Sequence, residues 1–327
     1  MRIATFVLPE LVAAMQTGSA SGAAALDQLN AALVDPGAFR LTGLPVSDVL
    51  LGDLHAATRS FFERPLAEKA AYRHSDDQYV GWCGGSYLSQ YGSKDHKEMF
   101  HIGPRVAPTL KPHGRDGAVV EPRAGLDKRA RATCGLWPEV PEDFVRLWHE
   151  YYAAMQRAAA QLGSVLAHVL GVPPSRWFDA MDDNWADLAA NYYPPVTGDG
   201  NGGAPIYNAA HSDLTVFTIL YQDQSRAGGL SVEFADGEWC GVEPVPGTYV
   251  VNVGELLSYL SGGRWRAAPH QVTVSDDAPS AARLSIPFFY RPSDERVVRC
   301  FVDDDAEPIA VGDWVLQRKR ASRAVAS

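Results

Sequence analysis

Two imidazoles and one carboxylate stand at positions from which a single ion could gather them. His211-Ser212-Asp213 leads into the apolar run LTVFTILYQD. On an extended strand residues i and i+2 face the same side, so both side chains can reach one metal. His270, which opens the run HQVTVS much further along, is the best candidate for a third donor. Two histidines and one carboxylate form the facial set of non-haem ferrous centres, which leaves coordination positions open for O2 and an oxidisable molecule. The tripeptide also occurs elsewhere. His74-Ser75-Asp76 repeats it in a polar stretch with no apolar strand behind it, and His96-Lys97-Glu98 comes close in the same irregular region. His149 and His168 lack a carboxylate two positions away and read as non-ligands.

Arg283-Leu284-Ser285 is a second constellation with the same spacing. A guanidinium pairs with a carboxylate through two parallel hydrogen bonds, and a neighbouring hydroxyl adds a third donor. Such a pair suits one end of a dicarboxylate; the plainer alternative is a sheet-edge arginine paired with a local aspartate. A third group of residues lies within 76–103, a stretch rich in Tyr, Trp, Gly and Ser. Tyr79, Trp82, Tyr87, Tyr91, Lys94, His96 and Phe100 mix apolar rings with polar tips, as ligand pockets do. They are expected to contact a substrate, with plain core packing as the competing role.

The elements that must position these groups can be read from periodicity. Residues 3–8 suit a strand, 24–34 a helix stopped by Asp35-Pro36-Gly37, and Phe39 to Thr42 a second strand. Residues 47–63 read as a helix capped by Ser47 or Asp48, and 66–72 as a short one. Residues 104–127 read as an exposed connection. From about 141 to 170 apolar residues recur every three or four positions, predicting a long helix with one buried face and Gly171 at its end. From Ala186 onward short alternating runs separated by Gly, Asp, Pro and Ser predict six or more strands in an antiparallel sandwich or barrel, with a hairpin at Asp236-Gly237. A C-terminal helix at about 311–320 is a candidate lid.

Composition narrows the function. Of 327 residues 46% are hydrophobic and 21% charged, the balance of a globular enzyme. Net charge is -10, with no basic stripe of the kind that displaces counterions from nucleic acid. The four cysteines form no CxxC pair, which argues against structural zinc and for reduced thiols in a cytoplasm. Pro9 and Glu10 interrupt the one stretch that imitates an export signal, and no apolar run reaches membrane-spanning length. The expected partner is a small-molecule substrate, with no nucleic acid and no membrane, and the chain is expected to be a monomer or weak homo-oligomer.

Several ordered motifs resemble the isopenicillin N synthase-like branch of the iron(II)/2-oxoglutarate-dependent oxygenases. They are NYYPP at 191–195, HSDLTVFTILYQD from 211, the stretch 228–272 ending in His270-Gln271-Val272, and RLSIPFFYRPS at 283–293. FFERPLAEKAAY at 61–72, LWP at 136–138 and VGDWVLQRK at 311–319 are weaker echoes. The resemblance selects the later HSD as the ligand pair and implies iron at His211, Asp213 and His270. It implies that Arg283 and Ser285 hold the distal carboxylate of 2-oxoglutarate, with Tyr193 assisting and Asn191 near the proximal one. The implied fold is α+β: a double-stranded β-helix, or jelly roll, with flanking helices mostly from the N-terminal half. Residues 1–327 then form a single unit, with a helical support at 1–170, the oxygenase core at 186–300 and a helix or tail at 305–327. The implied cofactors are Fe(II), 2-oxoglutarate and O2. The implied reaction is oxidation of a C–H bond by hydroxylation, desaturation or cyclisation. Asp213 argues against the related halogenases, where a small residue leaves room for chloride. Gln271 departs from the arginine common at that place. Ala, Gly and Arg usage suggests a GC-rich bacterium and specialised metabolism, such as antibiotic biosynthesis. Two alternatives stay open: an oxidase of the same fold needing only iron and O2, and a non-catalytic jelly-roll binding protein.

Overall fold

Alternation of side chains along a series of short strands dictates two opposed faces, and both find cover. The computed structural model describes residues 3–73, 81–84, 97–103, 143–182, 184–195, 206–224, 228–274 and 281–325. The first part supplies β1 (Thr5–Val7), α1 (Leu8–Thr17), α2 (Ala20–Val34), β2 (Ala38–Thr42), α3 (Asp48–Phe62), α4 (Leu66–Ala70), β3 (Gly81–Cys83), β4 (Glu98–Ile102) and α5 (Phe144–Leu170). Then follow α6 (Pro174–Met181), β5 (Asp187–Tyr193), β6 (Ile206–His211), β7 (Phe217–Gln222), β8 (Gly228–Glu233), β9 (Trp239–Gly241) and β10 (Tyr249–Val253). The chain continues with α7 (Glu255–Leu260), β11 (His270–Val274), β12 (Arg283–Tyr290), β13 (Val297–Val298), β14 (Ile309–Ala310) and α8 (Val311–Val325).

Eight strands form one sheet in the order β1-β2-β10-β7-β12-β5-β4-β3, and four form a second, β6-β11-β8-β9. Apart from the parallel pair β1/β2, neighbours in these two sheets run antiparallel. Two cores result. On the outer face of the large sheet the helices bury a continuous cluster that includes Phe61, Trp148, Leu162, Ile219 and Phe288. Between the sheets a smaller cluster holds Tyr193, Tyr207, Leu230, Val232, Val250 and Val272. This is the jelly-roll arrangement with helices outside. Strands from the first part of the chain sit at both ends of the large sheet, so the helical support and the β core share one framework.

Local chemistry explains the helices. Ser47 caps α3 by accepting the Leu50 N–H at 3.1 Å, and Ser19 does the same for α2 from Gly22 at 3.2 Å. On α5, Phe144, Leu147, Trp148, Tyr151, Met155 and Ala158 are all buried, and Gly171 ends the helix in the left-handed conformation at φ 75°. Each large side chain on that face stabilises by about 1.5–3 kcal/mol, and Trp148→Ala would cost about 3–5 kcal/mol through the cavity left behind.

The structure corrects two expectations. The strand expected over 3–8 ends at Val7, and Pro9 lies in the first turn of α1, where a missing N–H costs nothing. Leu8 and Leu11 of that helix are buried core. The HxD motif does not lie within a strand: His211 closes β6, and Asp213 stands in the link to β7.

Candidate functional site

The inner face of the large sheet carries the polar groups. Along β12, Leu284, Ile286, Phe288 and Tyr290 join the helix-side core, which leaves Arg283, Ser285, Pro287 and Phe289 facing the small sheet. Ser285 lies across from Asn191 on β5 and Gln222 on β7, and Arg283 lies across from Tyr193.

His211, Asp213 and His270 meet at the edge of this face. One nitrogen from each ring and one carboxylate oxygen all lie within 4.8 Å of one another. Asp213 Oδ1 is 3.7 Å from His211 Nε2 and 3.8 Å from His270 Nε2, and the ring centroids are 4.3 Å apart. His211 and His270 are paired residues on β6 and β11. Each uses its Nδ1 on the carbonyl two residues back, Ala209 O at 2.7 Å and Ala268 O at 3.0 Å. That bond fixes the tautomer and turns the Nε2 lone pair toward the shared space.

The carboxylate is oriented in the same way. Asp213 Oδ2 accepts Thr218 Oγ1–H at 2.6 Å and Asn252 Nδ2–H at 2.9 Å, leaving Oδ1 directed at the imidazoles. The first amides of α7 hold the backbone of the link. Gly254 N–H donates to Val216 O, Glu255 N–H to Asp213 O at 2.8 Å, and Leu256 N–H to Thr215 O. A Cβ on Gly254 would fall 2.1 Å from Thr215 O, so only glycine permits this approach. Burial, and then the neighbouring His270, push the His211 pKa down to about 3. Burial alone would raise the Asp213 carboxyl, but His270, His211 and the bonds from Thr218 and Asn252 outweigh it and hold it below its ordinary value. A neutral imidazole beside an ionised carboxylate is the protonation state a divalent metal requires. The nitrogen and oxygen donor set fits iron(II).

Arg283 is 2% exposed. Its guanidinium donates to Gln222 Oε1 at 2.9 Å and Ser285 Oγ at 3.3 Å, and packs 5.0 Å from the Tyr193 ring centre. It pairs with no acid among the described residues. A buried cation without an anion is costly, and an incoming carboxylate would offset that cost. Asn191 Oδ1, one position along the same face, is likewise buried, with no hydrogen-bond partner among the described residues. The plainer alternative, an edge arginine with a local aspartate, finds no such aspartate among the described residues. Asp223 instead braces β12 from behind, accepting the Leu284 N–H at 2.7 Å.

The expected substrate contacts divide. Tyr79, Tyr87, Tyr91, Lys94 and His96 lie outside the described residues, as does the second HSD at 74–76. Trp82 and Phe100 face the helix side, contrary to expectation. Trp82 donates to Glu98 Oε2 at 2.8 Å, and Phe100 packs against Phe61, Phe144 and Trp148. Strand alternation is the reason: with Phe100 in the helix-side core, Met99 and His101 face inward. Thr218, Gln222 and Asn252 were missed, although Thr218 and Gln222 on β7 and Asn252 on β10 are buried polar residues at inward positions of mostly apolar strands, which is itself a signal. Helix α8 bonds through Arg318 to Glu255 of α7 at 2.6 Å. A cleft of about 500 Å³ between these helices, lined by Tyr259, Cys300, Trp314 and Arg318 among others, includes neither the triad nor Arg283.

Comparison with known proteins agrees with this geometry. The sequence model of the 2OG-Fe(II) oxygenase superfamily matches residues 184–292, and that of the N-terminal region of non-haem dioxygenases in morphine synthesis matches 11–119. The chain is 31% identical over 273 residues to a 2-oxoglutarate-Fe(II) type oxidoreductase of Aspergillus fumigatus, spanning 81% of this chain and 75% of that protein. The crystal structure of JOX2 in complex with 2OG, Fe and JA superposes with a TM-score of 0.75 at 22% identity, covering 97% of this chain and 85% of that one. The crystal structure of a full-length Neurospora crassa protein in complex with alpha-KG and thymine gives a TM-score of 0.76 at 18% identity, covering 98% of this chain and 97% of that one.

Proposed function

The chain belongs to the 2OG-Fe(II) oxygenase superfamily and is an iron(II)- and 2-oxoglutarate-dependent oxygenase, and from that premise we propose that it oxidises an unactivated C–H bond of a small molecule by hydroxylation, desaturation or cyclisation. We assign iron to His211, Asp213 and His270, and the distal carboxylate of 2-oxoglutarate to Arg283 and Ser285. Tyr193 supports the guanidinium and Asn191 meets the proximal end. The observation that carries this reading is the buried Arg283 guanidinium, without an acid among the described residues, on the same inner face as the triad.

Together the bound metal and keto acid supply an oxidant for C–H bonds, drawing on O2 and releasing succinate and CO2. The protein's own part is positional. The Ala209 and Ala268 carbonyls hold both imidazoles by Nδ1, and Thr218 with Asn252 occupies the spare oxygen of Asp213. Gln222 and Tyr193 keep the Arg283 fork in place. The surrounding wall of Tyr207, Leu230, Val232 and Val272 excludes water from the reacting groups. Known structures of this fold hold molecules as different as thymine and JA beside the co-substrate, so the substrate must be read from pocket chemistry rather than fold. Composition supports a place in bacterial specialised metabolism, and no helix among the described residues is long and apolar enough to cross a membrane. The test is a substrate screen scored by succinate release. A gain of one oxygen marks hydroxylation, and a loss of two hydrogens marks desaturation or ring closure. Product formed with no 2-oxoglutarate consumed would contradict the reading in favour of an iron and O2 oxidase.

A further inference from the structure

The row of inward side chains that supports the metal carboxylate continues across the large sheet into different chemistry. Thr218 and Asn252, which hold Asp213 Oδ2, are paired neighbours on β7 and β10. On its other side Thr218 is paired with Phe289 of β12, and Phe289 with Asp187 of β5. In the adjoining row Leu220 is paired with Pro287, and Ala189 with His101 of β4. Leu188 and Ile102 lie in the helix-side core, so Asp187 and His101 both face inward. The residues assigned to 2-oxoglutarate lie toward the other end of β12, with about 20 Å of strand between Arg283 and Phe289.

Phe289 is half-buried and joins neither core cluster, although Leu284, Ile286, Phe288 and Tyr290 of the same strand all lie in the helix-side one. A large ring left on the inner face offers a surface to a flat apolar molecule. Beyond it stand His101 and Asp187, whose side chains are 13% and 17% exposed. Their facing atoms, His101 Nε2 and Asp187 Oδ1, are 3.9 Å apart, too far for a hydrogen bond. His101 Nδ1 is buried with no hydrogen-bond partner among the described residues. Burial lowers the pKa of this imidazole, so the ring is neutral. A buried N–H left unpaired is costly, which puts the one ring proton on Nε2.

A single atom can lie about 2.8 Å from both members of a pair that is 3.9 Å apart. A hydroxyl fits that position: its oxygen accepts from His101 Nε2–H, and its proton goes to Asp187 Oδ1, which also accepts from Trp185 Nε1–H at 3.1 Å. Other groups fit less well. A cation is disfavoured by Arg291, whose Nε is 4.0 Å from Asp187 Oδ2, and by Lys319 of α8, whose charge acts on His101. An anion is disfavoured by the Asp187 carboxylate itself.

We propose that His101 and Asp187 together bind a hydroxyl of the prime substrate, whose ring system lies on Phe289 between that hydroxyl and the metal, so that this oxygenase acts on a hydroxylated ring compound. The proposal rests on the 2-oxoglutarate reading above. Two inter-strand spacings, about 10 Å, separate β5 from β7. The hydroxyl and the oxidised carbon therefore lie toward opposite ends of the molecule.

The experiment uses the full chain with Mn(II) in place of iron, 2-oxoglutarate, and phenols and alicyclic alcohols of increasing ring number, each paired with its deoxy parent. Dissociation constants are read by calorimetry. At least one hydroxylated compound is expected to bind wild type about tenfold or more tighter than its parent, the worth of a hydrogen bond to a charged group. His101→Leu should erase that preference while binding of the parent moves less than about twofold. His101→Gln, which keeps a donor, should recover part of the preference. Phe289→Ala should instead weaken compound and parent alike. Affinity for 2-oxoglutarate should hold steady in all three variants. A His101→Leu chain that loses it has lost its fold, and the wild-type preference together with His101→Gln then decides. Three results each overturn the proposal: a panel in which wild type prefers no hydroxylated compound to its parent, a preference that survives intact in both His101 variants, or a Phe289→Ala chain that binds every compound as wild type does. Wild type that binds no 2-oxoglutarate sinks the underlying reading, whereas 2-oxoglutarate bound with no preference for the hydroxyl sinks this proposal alone.

Discussion

Replacing Arg283 by methionine separates ligand binding from folding, because its buried charge lacks an acid among the described residues. In the ligand-free protein Arg283→Met removes a guanidinium whose burial is costly, and leaves Gln222 Oε1 short of one donor at 2.9 Å. The first change relieves a penalty of several kcal/mol, while the second costs about 1–3 kcal/mol. Stability without ligand should hold steady or rise. With 2-oxoglutarate the sign reverses. Two charge-assisted bonds at about 1.5–3 kcal/mol each predict a KM for 2-oxoglutarate raised roughly 10²–10⁴-fold. A thermal melt with Mn(II) in place of iron reads the same effect. At a hundred times Kd the ligand stabilises wild type by about 2.7 kcal/mol. An unfolding entropy of about 2.1 cal/mol/K per residue over 327 residues turns that into a Tm rise of about 4 °C. The variant should show no rise at the same concentration. A variant that melts well below ligand-free wild type, or that keeps its response to 2-oxoglutarate, refutes the assignment of Arg283 as an anion receptor.

Other predictions concern the frame around the metal. Asn252→Ala frees Asp213 Oδ2 of its 2.9 Å donor and should weaken metal binding by about 10–100-fold with little change in fold, measured by equilibrium dialysis; unchanged affinity would remove Asn252 from the account. Gly254→Ala forces a Cβ to within 2.1 Å of Thr215 O, so the link bearing Asp213 must shift. Metal content should fall and Tm should drop, and a variant equal to wild type in both would contradict the clamp by α7. Burial, opposed by Asp187 and helped by Lys319 and Arg291, lowers the His101 pKa below its ordinary 6.5. The folded state thus favours the neutral ring, and stability present above pH 6.5 is lost as pH falls below it. Urea midpoints at about pH 7 and 5.5 should diverge less in His101→Asn than in wild type; equal divergence would show that another group is responsible.

The sequence exposed more of the site than of its supports. The pairs His211/Asp213 and Arg283/Ser285 were legible because both use spacing i, i+2 before an apolar run, and β12 does place Arg283 and Ser285 on one face. His211 and Asp213 come together for a different reason: the strand ends at His211, and amides of α7, forty residues later, hold the link in place. No local pattern encodes that contact. Helix α7 itself, ELLSYL, is only six residues long and too short for periodicity to distinguish from a strand. The aromatic stretch misled for a related reason. Trp82 and Phe100 have the composition of a pocket, but facing depends on strand register, and register is set by pairing with β5. The long helix was plain because its period holds over 27 residues.

Iron(II) bound per chain, measured by equilibrium dialysis under argon, tests the central claim most directly. One ion per wild-type chain is predicted, with binding lost in Asp213→Ala and His270→Ala and retained when His74 and Asp76 are both replaced by alanine. Full binding in the His270 variant, or loss confined to the His74/Asp76 variant, would contradict it.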